Sequence, residues 1–280
     1  MTRYKVLAVT TRYWRPGDDY LEEILKSVKG ILADADFVVV SEKAISTASG
    51  NIADERKVES TFDARFIASV WMHMVWGYFL GPVCHLQKRL TQQLRDYPSE
   101  MGSRHKQLAL EHAGLLQALM LGSEGGIDGS NLPYSYVSLP LENPDLIAQR
   151  ICNRIWSVLK KKTFVIIADT DRTYSFRNFH FTPRPKPIRG IHSLGGFFAY
   201  VVGRAFQLER RATPLALTGV KIPVEEALRI AEIANRARGF GAGRTVWDMA
   251  DMFRVDLASV SWEMLDTVRH KPIVIVRTKQ

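Results

Sequence analysis

Two short segments of this sequence carry side chains that could bind a metal ion together with phosphate groups. In Gly125–Asn131 (GGIDGSN), one carboxylate, Asp128, and two short polar side chains stand among glycines that permit close backbone approach. In the second segment, Asp169 directly follows the apolar run 164–168, where packing gives no reason for an acid. Mg²⁺ binds one or two carboxylates together with substrate phosphates, so the two acids predict a shared metal site. Each segment by itself is also an ordinary turn sequence.

The motifs of several large enzyme classes are absent from the sequence. It contains no GxxxxGK[ST] phosphate loop and no HExxH zinc motif, and Ser193 has Ile191 where a nucleophile elbow needs glycine. The glycine cluster GFGAGR at 239–244 follows a predicted helix. We interpret it as the end of that helix and a flexible loop rather than as a phosphate-binding loop.

Positive charge is concentrated in the second half of the chain. Residues 1–140 contain 15 basic and 16 acidic residues, whereas residues 141–280 contain 23 basic and 13 acidic residues. Between Arg172 and Arg211, eight bases stand against one acid. This pattern predicts a surface that meets phosphates, with a solvated basic face as the alternative. A nucleic-acid binder would explain the charge, but no nucleic-acid-binding module is recognisable and the acidic motifs would stay unexplained.

The elements that must position these residues are strands and helices in alternation. Apolar runs predict strands at 5–10, 37–40, 163–168 and 273–276, and apolar spacings of three and four predict helices at 19–30, 143–159 and 223–239. The second strand delivers Ser41, Glu42 and Lys43 to its carboxyl end, and the third ends at Asp169. Strand–helix–strand units are usually parallel, with ligand groups at the strand carboxyl ends. The fold class predicted is therefore mixed α and β.

One segment is long and apolar enough to cross a membrane. Residues 66–87 contain no Asp, Glu, Lys or Arg. Because this segment contains Gly81, Pro82 and two histidines and has no second of its kind, we expect a helix buried in a core or subunit interface. Two cysteines cannot form a disulfide framework, and the first residues lack the pattern of a signal peptide. A cytoplasmic protein is expected.

Five segments in chain order resemble the motifs of one enzyme family. They are RPGDDYLEEI and LADADFVVVSEKAISTASG within 15–50, GGIDGSN at 125–131, FVIIADTDRTYSFR at 164–177 and TPLALTGVKIPVEEALRIAE at 213–232. The coenzyme F420-0:γ-glutamyl ligase (coenzyme F420:L-glutamate ligase) family typically shows a PGDD turn, a strand ending in SEK, a GVDESN loop, an SDTFGRPWR segment and a TxxAxADELA helix in this order. The match spans most of the chain, although residues 56–121 match poorly.

The resemblance implies a single ligase-like unit over residues 1–280 with the family's two-lobed α+β fold, as a homodimer. It implies a ligase that uses GTP and Mg²⁺ or Mn²⁺ to add L-glutamate, through a γ-linkage, to the deazaflavin coenzyme F420-0 or a related phosphorylated carboxylate. The expected partners are these small molecules, with no nucleic acid and no membrane. The implied metal ligands are Asp128, Asp169 and Thr170. Polar residues expected to face phosphates are Lys43, Ser130, Asn131, Arg172 and Arg177.

Three departures from the family pattern affect the expected site. Gly129 replaces an acid of the GVDESN loop, Asp171 replaces the Phe that follows SDT, and Gly219 stands where a polar side chain that assists metal binding is expected. Losing one ligand from a metal site removes a large electrostatic contribution. The alternative function is therefore a catalytically altered paralogue that retains the nucleotide site.

Overall fold

The computed structural model describes residues 3–122 and 124–278 as a mixed α and β fold. The strands are β1 Tyr4–Thr11, β2 Phe37–Ser41, β3 Ile52–Asp54, β4 Tyr136–Ser138, β5 Phe164–Phe176, β6 Phe179–Thr182, β7 His192–Ser193, β8 Glu209–Thr218 and β9 His270–Thr278. The helices are α1 Tyr20–Val28, α2 Glu42–Ala48, α3 Phe62–Val83, α4 Lys88–Arg95, α5 Ser99–His112, α6 Leu115–Ala118, α7 Pro144–Leu159, α8 Phe197–Ala205, α9 Val224–Arg238, α10 Val246–Phe253 and α11 Trp262–Asp266. This composition is an α+β fold, and that expectation is confirmed; the two-lobe division stays a prediction.

The main sheet brings the predicted motifs to one edge. Its strand order is β1-β9-β2-β5-β6-β7, and β8 pairs with β5 on the side away from β2. Strands β2 and β5 are parallel, with Phe37 opposite Phe164 and Ser41 opposite Ala168. The register places Glu42, which follows the last residue of β2, beside Asp169, which follows Ala168 within β5. The first strand–helix–strand unit is parallel in direction, but β9 lies between β1 and β2.

Alternating residues of β2 separate two cores on the two faces of the sheet. Val38 and Val40 pack with α1, α2 and α7, whereas Phe37 and Val39 pack with α9. All four side chains are nearly inaccessible to solvent. Burying an aliphatic or aromatic side chain stabilises the folded state by about 1.5–3 kcal/mol. Because β2 is buried on both faces, its residues 37–40 form a continuous apolar run.

Strand β5 is longer than the sequence predicts, and its irregularity shapes the site. The predicted strand ends at Ala168, but the observed strand continues to Phe176 because β8 pairs along its length. Asp169 lies opposite Thr213 and Arg172 lies opposite Ala212, which leaves two extra residues on β5. Such a bulge re-aims side chains, and here it exposes Thr170 while the flanking acids stay buried.

The apolar segment 66–87 forms most of α3, but it is buried on one face only. Met72 and Trp76 are buried in a third core, which they form with α4, α5 and α6, whereas Phe79 is 67% exposed. Residues Ile67–Leu80 of this helix have π-helical hydrogen bonding. Within the described residues, α3 is the one helix long and apolar enough to cross a membrane, and a third of its most apolar window is buried. The prediction of a helix buried in a core therefore holds for one face of α3.

Gly219 lies far from the predicted metal site, which corrects the expected role of this position. It follows Thr218, which is opposite Val165 at the amino end of β5, whereas Asp169 is four residues further along that strand. Its φ is +88°, and an added Cβ would lie 2.8 Å from the carbonyl oxygen of Thr163. Backbone geometry therefore requires glycine at position 219, and the lack of a side chain there does not remove a metal ligand from the site.

We expect Gly219→Ala to lower the free energy of unfolding by about 3 kcal/mol, from left-handed backbone strain together with the steric clash. Gly30→Ala is the matched control, since Gly30 has φ +87° with no atom within 4 Å of the added Cβ. It should cost about 1 kcal/mol, from backbone strain alone. Urea denaturation of both variants measures the difference. Equal losses would contradict the close approach at Gly219.

Candidate functional site

A cavity of about 450 Å³ lies beyond the carboxyl end of β2 and beside the bulge of β5. Its wall is formed by the start of α2, the loop 127–131, the β5 bulge, the loop 239–247 and the helical segment that includes α5. Six of the eight predicted site residues line it, and these are Lys43, Asp128, Ser130, Asn131, Thr170 and Arg172. The cavity is therefore where strand topology places ligand groups in sheets of this kind.

Lys43, at the start of α2, is held by the loop that follows Ile127. Its ammonium group donates to the Asp128 carboxylate, to the Ser130 carbonyl oxygen at 2.8 Å and to Ser130 Oγ at 2.7 Å. The loop itself is closed by the Ser130 amide, which donates to Asp128 Oδ1 at 2.7 Å. An ammonium group has three donors, so all of those of Lys43 are used within the protein. The predicted phosphate contact of Lys43 would require an exchange of partners.

The other predicted metal ligand, Asp169, contacts a buried arginine that the sequence did not single out. Arg184 is 2% exposed, and its Nε lies 3.3 Å from Asp169 Oδ2. The same guanidinium donates to Glu42 Oε1 at 2.7 Å and to the Gly125 carbonyl oxygen. A Cβ at Gly126 would lie 1.5 Å from Arg184 Nη1. Gly126 of the GGIDGSN loop therefore makes room for this guanidinium.

Negative charge exceeds positive charge around Arg184. Burial alone would lower the pKa of its guanidinium, but the carboxylates of Glu42, Asp169 and Asp171 raise it. Burial raises the pKa of Glu42 to about 7; Arg184 opposes that shift and Asp169 adds to it. Three acids thus share one guanidinium beside the cavity. A further cation would relieve their repulsion.

The oxygen atoms near the bulge have the chemistry that a hard cation requires. Among the described residues, Asp169 Oδ2 is buried and makes no hydrogen bond, and the Thr170 hydroxyl lines the cavity. Carboxylate and hydroxyl oxygens suit Mg²⁺ and Mn²⁺. The described part of the chain contains no group of three or more His, Cys, Asp and Glu residues placed to hold a metal. The donor set thus fits a cation that is shared with substrate oxygens rather than one enclosed by protein.

Asn131 fastens a second loop to the site. Its Nδ2 donates to the carbonyl oxygens of Phe240 and Gly243, and its Oδ1 accepts from the Ala242 amide at 2.6 Å. The predicted helix end is confirmed at Gly239, where φ is +75°. The glycine cluster is nonetheless more than a flexible connection, because it forms part of the cavity wall. The side chain of Asn131 is committed to this loop rather than to a phosphate.

The basic stretch between Arg172 and Arg211 does not face the cavity as a whole. Arg172 lines it and donates to Glu232 Oε2 at 2.9 Å. Arg177 lies in the β5–β6 turn, where its guanidinium is over the Phe176 ring at 5.6 Å, and it does not line the cavity. It is eight residues beyond Asp169, roughly 25 Å along an extended strand. The structure therefore does not bring Arg177 to the site.

An ionic network on the opposite wall comes from a segment with no recognised motif. The two ring nitrogens of His105 lie 2.5 Å from Glu55 Oε1 and 2.6 Å from Glu124 Oε2. Lys106, which is fully buried, donates to Glu124 Oε1 at 2.6 Å. Burial alone would lower the pKa of His105, but Glu124 and Glu55 raise it to about 10. In the sequence, the adjacent His105 and Lys106 were the signal that could have indicated this network. Their acidic partners lie outside α5 and are distant in the sequence.

The charged state of His105 predicts a pH dependence of stability. The folded protein retains a proton that the unfolded chain releases near pH 6.5, so the free energy of unfolding should fall as pH rises from about 6.5 to about 10. His105→Gln should reduce this slope in urea denaturation at several pH values. His112→Gln, at an exposed histidine of the same helix, is the control and should retain it. Identical slopes in all three proteins would contradict the assignment.

Comparison with known proteins identifies the family that carries these motifs. The model of the F420-0:Gamma-glutamyl ligase family matches residues 8–196. An uncharacterized protein of Methanocaldococcus jannaschii is 33% identical over 285 residues, which cover 97% of this chain and 96% of that protein. The coenzyme F420:L-glutamate ligase of Methanosarcina acetivorans is 25% identical over 160 residues, 56% of this chain and 54% of that enzyme.

The matched range contains the part of the site that runs from the start of α2 to Arg184, and it confirms the resemblance drawn from the motifs. Family membership supports a ligase role in coenzyme F420 biosynthesis. With two thirds of its length matched and a relative similar along nearly the whole chain, this protein belongs to the F420-0:γ-glutamyl ligase family.

Proposed function

We propose that this protein is a GTP- and divalent-metal-dependent ligase that adds L-glutamate, through a γ-linkage, to coenzyme F420-0 or a related phosphorylated carboxylate. The observation that carries the proposal is the cavity at the carboxyl end of β2 and the bulge of β5. Its wall combines Asp128, Ser130 and Thr170, all inside the family match, with cationic side chains suited to phosphate groups. Its volume is adequate for a small-molecule substrate.

The proposed reaction has two steps. An oxygen of the acceptor carboxylate bonds to the γ-phosphorus of GTP and GDP leaves, which gives an acyl phosphate. The amine nitrogen of glutamate then bonds to the acyl carbon, phosphate leaves, and the amine releases a proton. In both steps the leaving group takes negative charge onto its phosphate oxygens, so fixed positive charge that lines the cavity stabilises them.

The residues of this chain have separate roles in the proposal. Asp128, Asp169 and Thr170 would hold Mg²⁺ or Mn²⁺, which when bound supplies charge neutralisation at the phosphate oxygens. Lys43 keeps Asp128 and Ser130 in one orientation, since it donates to both. Arg172 is held by Glu232 at the cavity wall, where it can donate to a phosphate.

A glutamate-incorporation assay tests the proposed function directly. The protein is incubated with F420-0, isotope-labelled L-glutamate, GTP and Mn²⁺, and mass spectrometry detects the γ-linked product; parallel reactions replace GTP with ATP, Mn²⁺ with Mg²⁺ or Mn²⁺ with EDTA. Thr170→Val should lower the rate at least about 10-fold by removing one cation ligand. Thr91→Val, on the exposed surface of α4, should leave the rate unchanged.

The incorporation assay, combined with a measurement of the melting temperature, distinguishes the alternative, a catalytically altered nucleotide-binding paralogue. One observation favours that alternative: the Asp128 carboxylate is already paired with Lys43. Under the alternative, GTP with Mn²⁺ raises the melting temperature but no glutamate is incorporated. Absence of both effects would contradict the ligase and the paralogue alike.

We also propose that the protein is cytoplasmic and homodimeric, with small-molecule partners and no nucleic-acid or membrane partner. The support for a dimer is apolar surface on α3 and α8, the ends of which are in contact. Arg204, at the end of α8, donates to the carbonyl oxygens of Cys84 and His85, which follow α3. Phe79 and Phe206 on these elements are 67% and 74% exposed. Exposed apolar area of this kind marks association sites.

Substitution of one exposed aromatic tests the dimer. Phe206→Lys should shift the sedimentation coefficient from that of a dimer to that of a monomer, because a charge would be buried in an apolar interface. Leu7→Lys, at a 45% exposed position on the edge strand β1, which β9 and β2 separate from β5, is the control and should sediment as the wild type does. A wild-type protein that sediments as a monomer would overturn the proposal.

A further inference from the structure

Four basic side chains of the last 45 residues line the cavity, and all lie beyond the range matched by the family. They are Arg238, Arg244, Arg269 and Lys271. Throughout residues 3–122 and 124–278, none of the four has a carboxylate oxygen within 4.0 Å. Arg238 and Lys271 are partly buried, whereas Arg244 and Arg269 are exposed. Buried or partly buried charges are usually paired, so Arg238 and Lys271 require an explanation.

The other cations of the cavity wall are paired. Lys43 contacts Asp128, His105 contacts two glutamates, and Arg172 contacts Glu232. These pairs include three acids of the wall, Glu55, Glu124 and Asp128. The wall formed by the end of α9, the loop 239–247 and the start of β9 is therefore strongly cationic.

Arg238 is the most constrained of the four. It is the last residue of α9, is partly buried, and donates from Nη2 to Asn235 Oδ1 at 2.9 Å. Burial lowers the pKa of its guanidinium; Asp169 opposes that shift and Arg172 adds to it. Arg238 also helps to lower the pKa of the neighbouring His270, for which burial is the main cause. Arg172 and Asp169 thus act on Arg238 with opposite signs, and Asp169 itself pairs with Arg184 rather than with Arg238.

Arg244 is presented to the same wall by an ordered loop. Its guanidinium lies 4.0 Å from the centre of the Phe240 ring. Three hydrogen bonds of the Asn131 side chain fix this loop. Gly241 lets the loop backbone approach the Asn131 side-chain amide, because a Cβ at position 241 would lie 2.3 Å from Asn131 Oδ1. A guanidinium on a fixed loop is preorganised to donate to an anion.

We propose that Arg238 and Arg244, supported by Lys271, form an anion-binding subsite on the C-terminal wall of the cavity, which takes a phosphate or carboxylate group. Guanidinium groups make paired, charge-assisted hydrogen bonds to both of these anions. The subsite rests on the cavity and its charges. Assigning the anion to a substrate rests on the proposed ligase function, in which GTP would supply a phosphate and L-glutamate a carboxylate.

Calorimetric titration of the full chain with pyrophosphate, GTP and L-glutamate in EDTA tests the subsite without metal or turnover. Arg238→Gln should weaken the binding of at least one of these anions about 10-fold or more, and Arg238→Lys should restore part of it. Arg229→Gln is the matched control, because Arg229 is on the same helix but does not line the cavity. Arg244→Gln provides an independent variant on a loop if Arg238→Gln fails to fold.

The pattern of losses identifies the source of the anion. Weaker binding of pyrophosphate and GTP alone assigns the subsite to a phosphate of the nucleotide, and weaker binding of L-glutamate alone assigns it to a carboxylate. Unchanged binding of all three in Arg238→Gln and Arg244→Gln overturns the subsite, even if the wild type is an active ligase. Weakened binding in a protein without ligase activity retains the subsite and refutes only the proposed function.

Discussion

The buried guanidinium of Arg184 is the constraint on which the site depends. It joins Glu42 at the end of β2, Asp169 in β5 and the carbonyl oxygen of Gly125 in the loop between them. Removing one partner of a buried ion pair typically costs about 3–5 kcal/mol, since it leaves an uncompensated charge in a medium of low polarity. The parallel register of β2 and β5 places the two carboxylates on either side of one guanidinium, and the absence of a side chain at Gly126 lets it enter.

Order at Arg184 is transmitted to the rest of the cavity through adjacent residues. Lys43, next to Glu42, holds Asp128 and Ser130, and Asn131 then holds the loop that follows α9. Each link is a hydrogen bond between a side chain and a neighbouring loop, so the position of the loop 239–244 depends on the sheet even though the two are far apart in sequence. Preorganised groups of this kind need little rearrangement when charge develops in a substrate.

The cavity therefore has two electrostatic halves. Around β2 and β5, acids outnumber the single guanidinium of Arg184, which suits a cation, whereas the wall beyond α9 carries unpaired guanidinium groups, which suits an anion. A phosphate that binds a metal on one side still has charged oxygens on the other, and two oppositely charged walls can satisfy both sides. The ligase-family motifs supply the first wall, and the segment beyond residue 196 supplies the second.

The sequence by itself determined the elements and the family. Apolar runs and helical spacing located β2, α7 and α9 to within a few residues, because hydrophobic periodicity is a local property of the chain, and the ordered motifs identified the ligase family. Only the tertiary structure decided which charges meet. The β5 bulge, which turns Thr170 toward the cavity, arises from pairing with β8, and the partners of Lys43 and Arg184 lie 85 and 142 residues away. The motifs predicted Arg177 as a phosphate ligand and did not single out Arg238. An extended strand carries Arg177 away, while packing of α9 on the sheet brings Arg238 to the wall, because the surroundings of a charge depend on long-range packing.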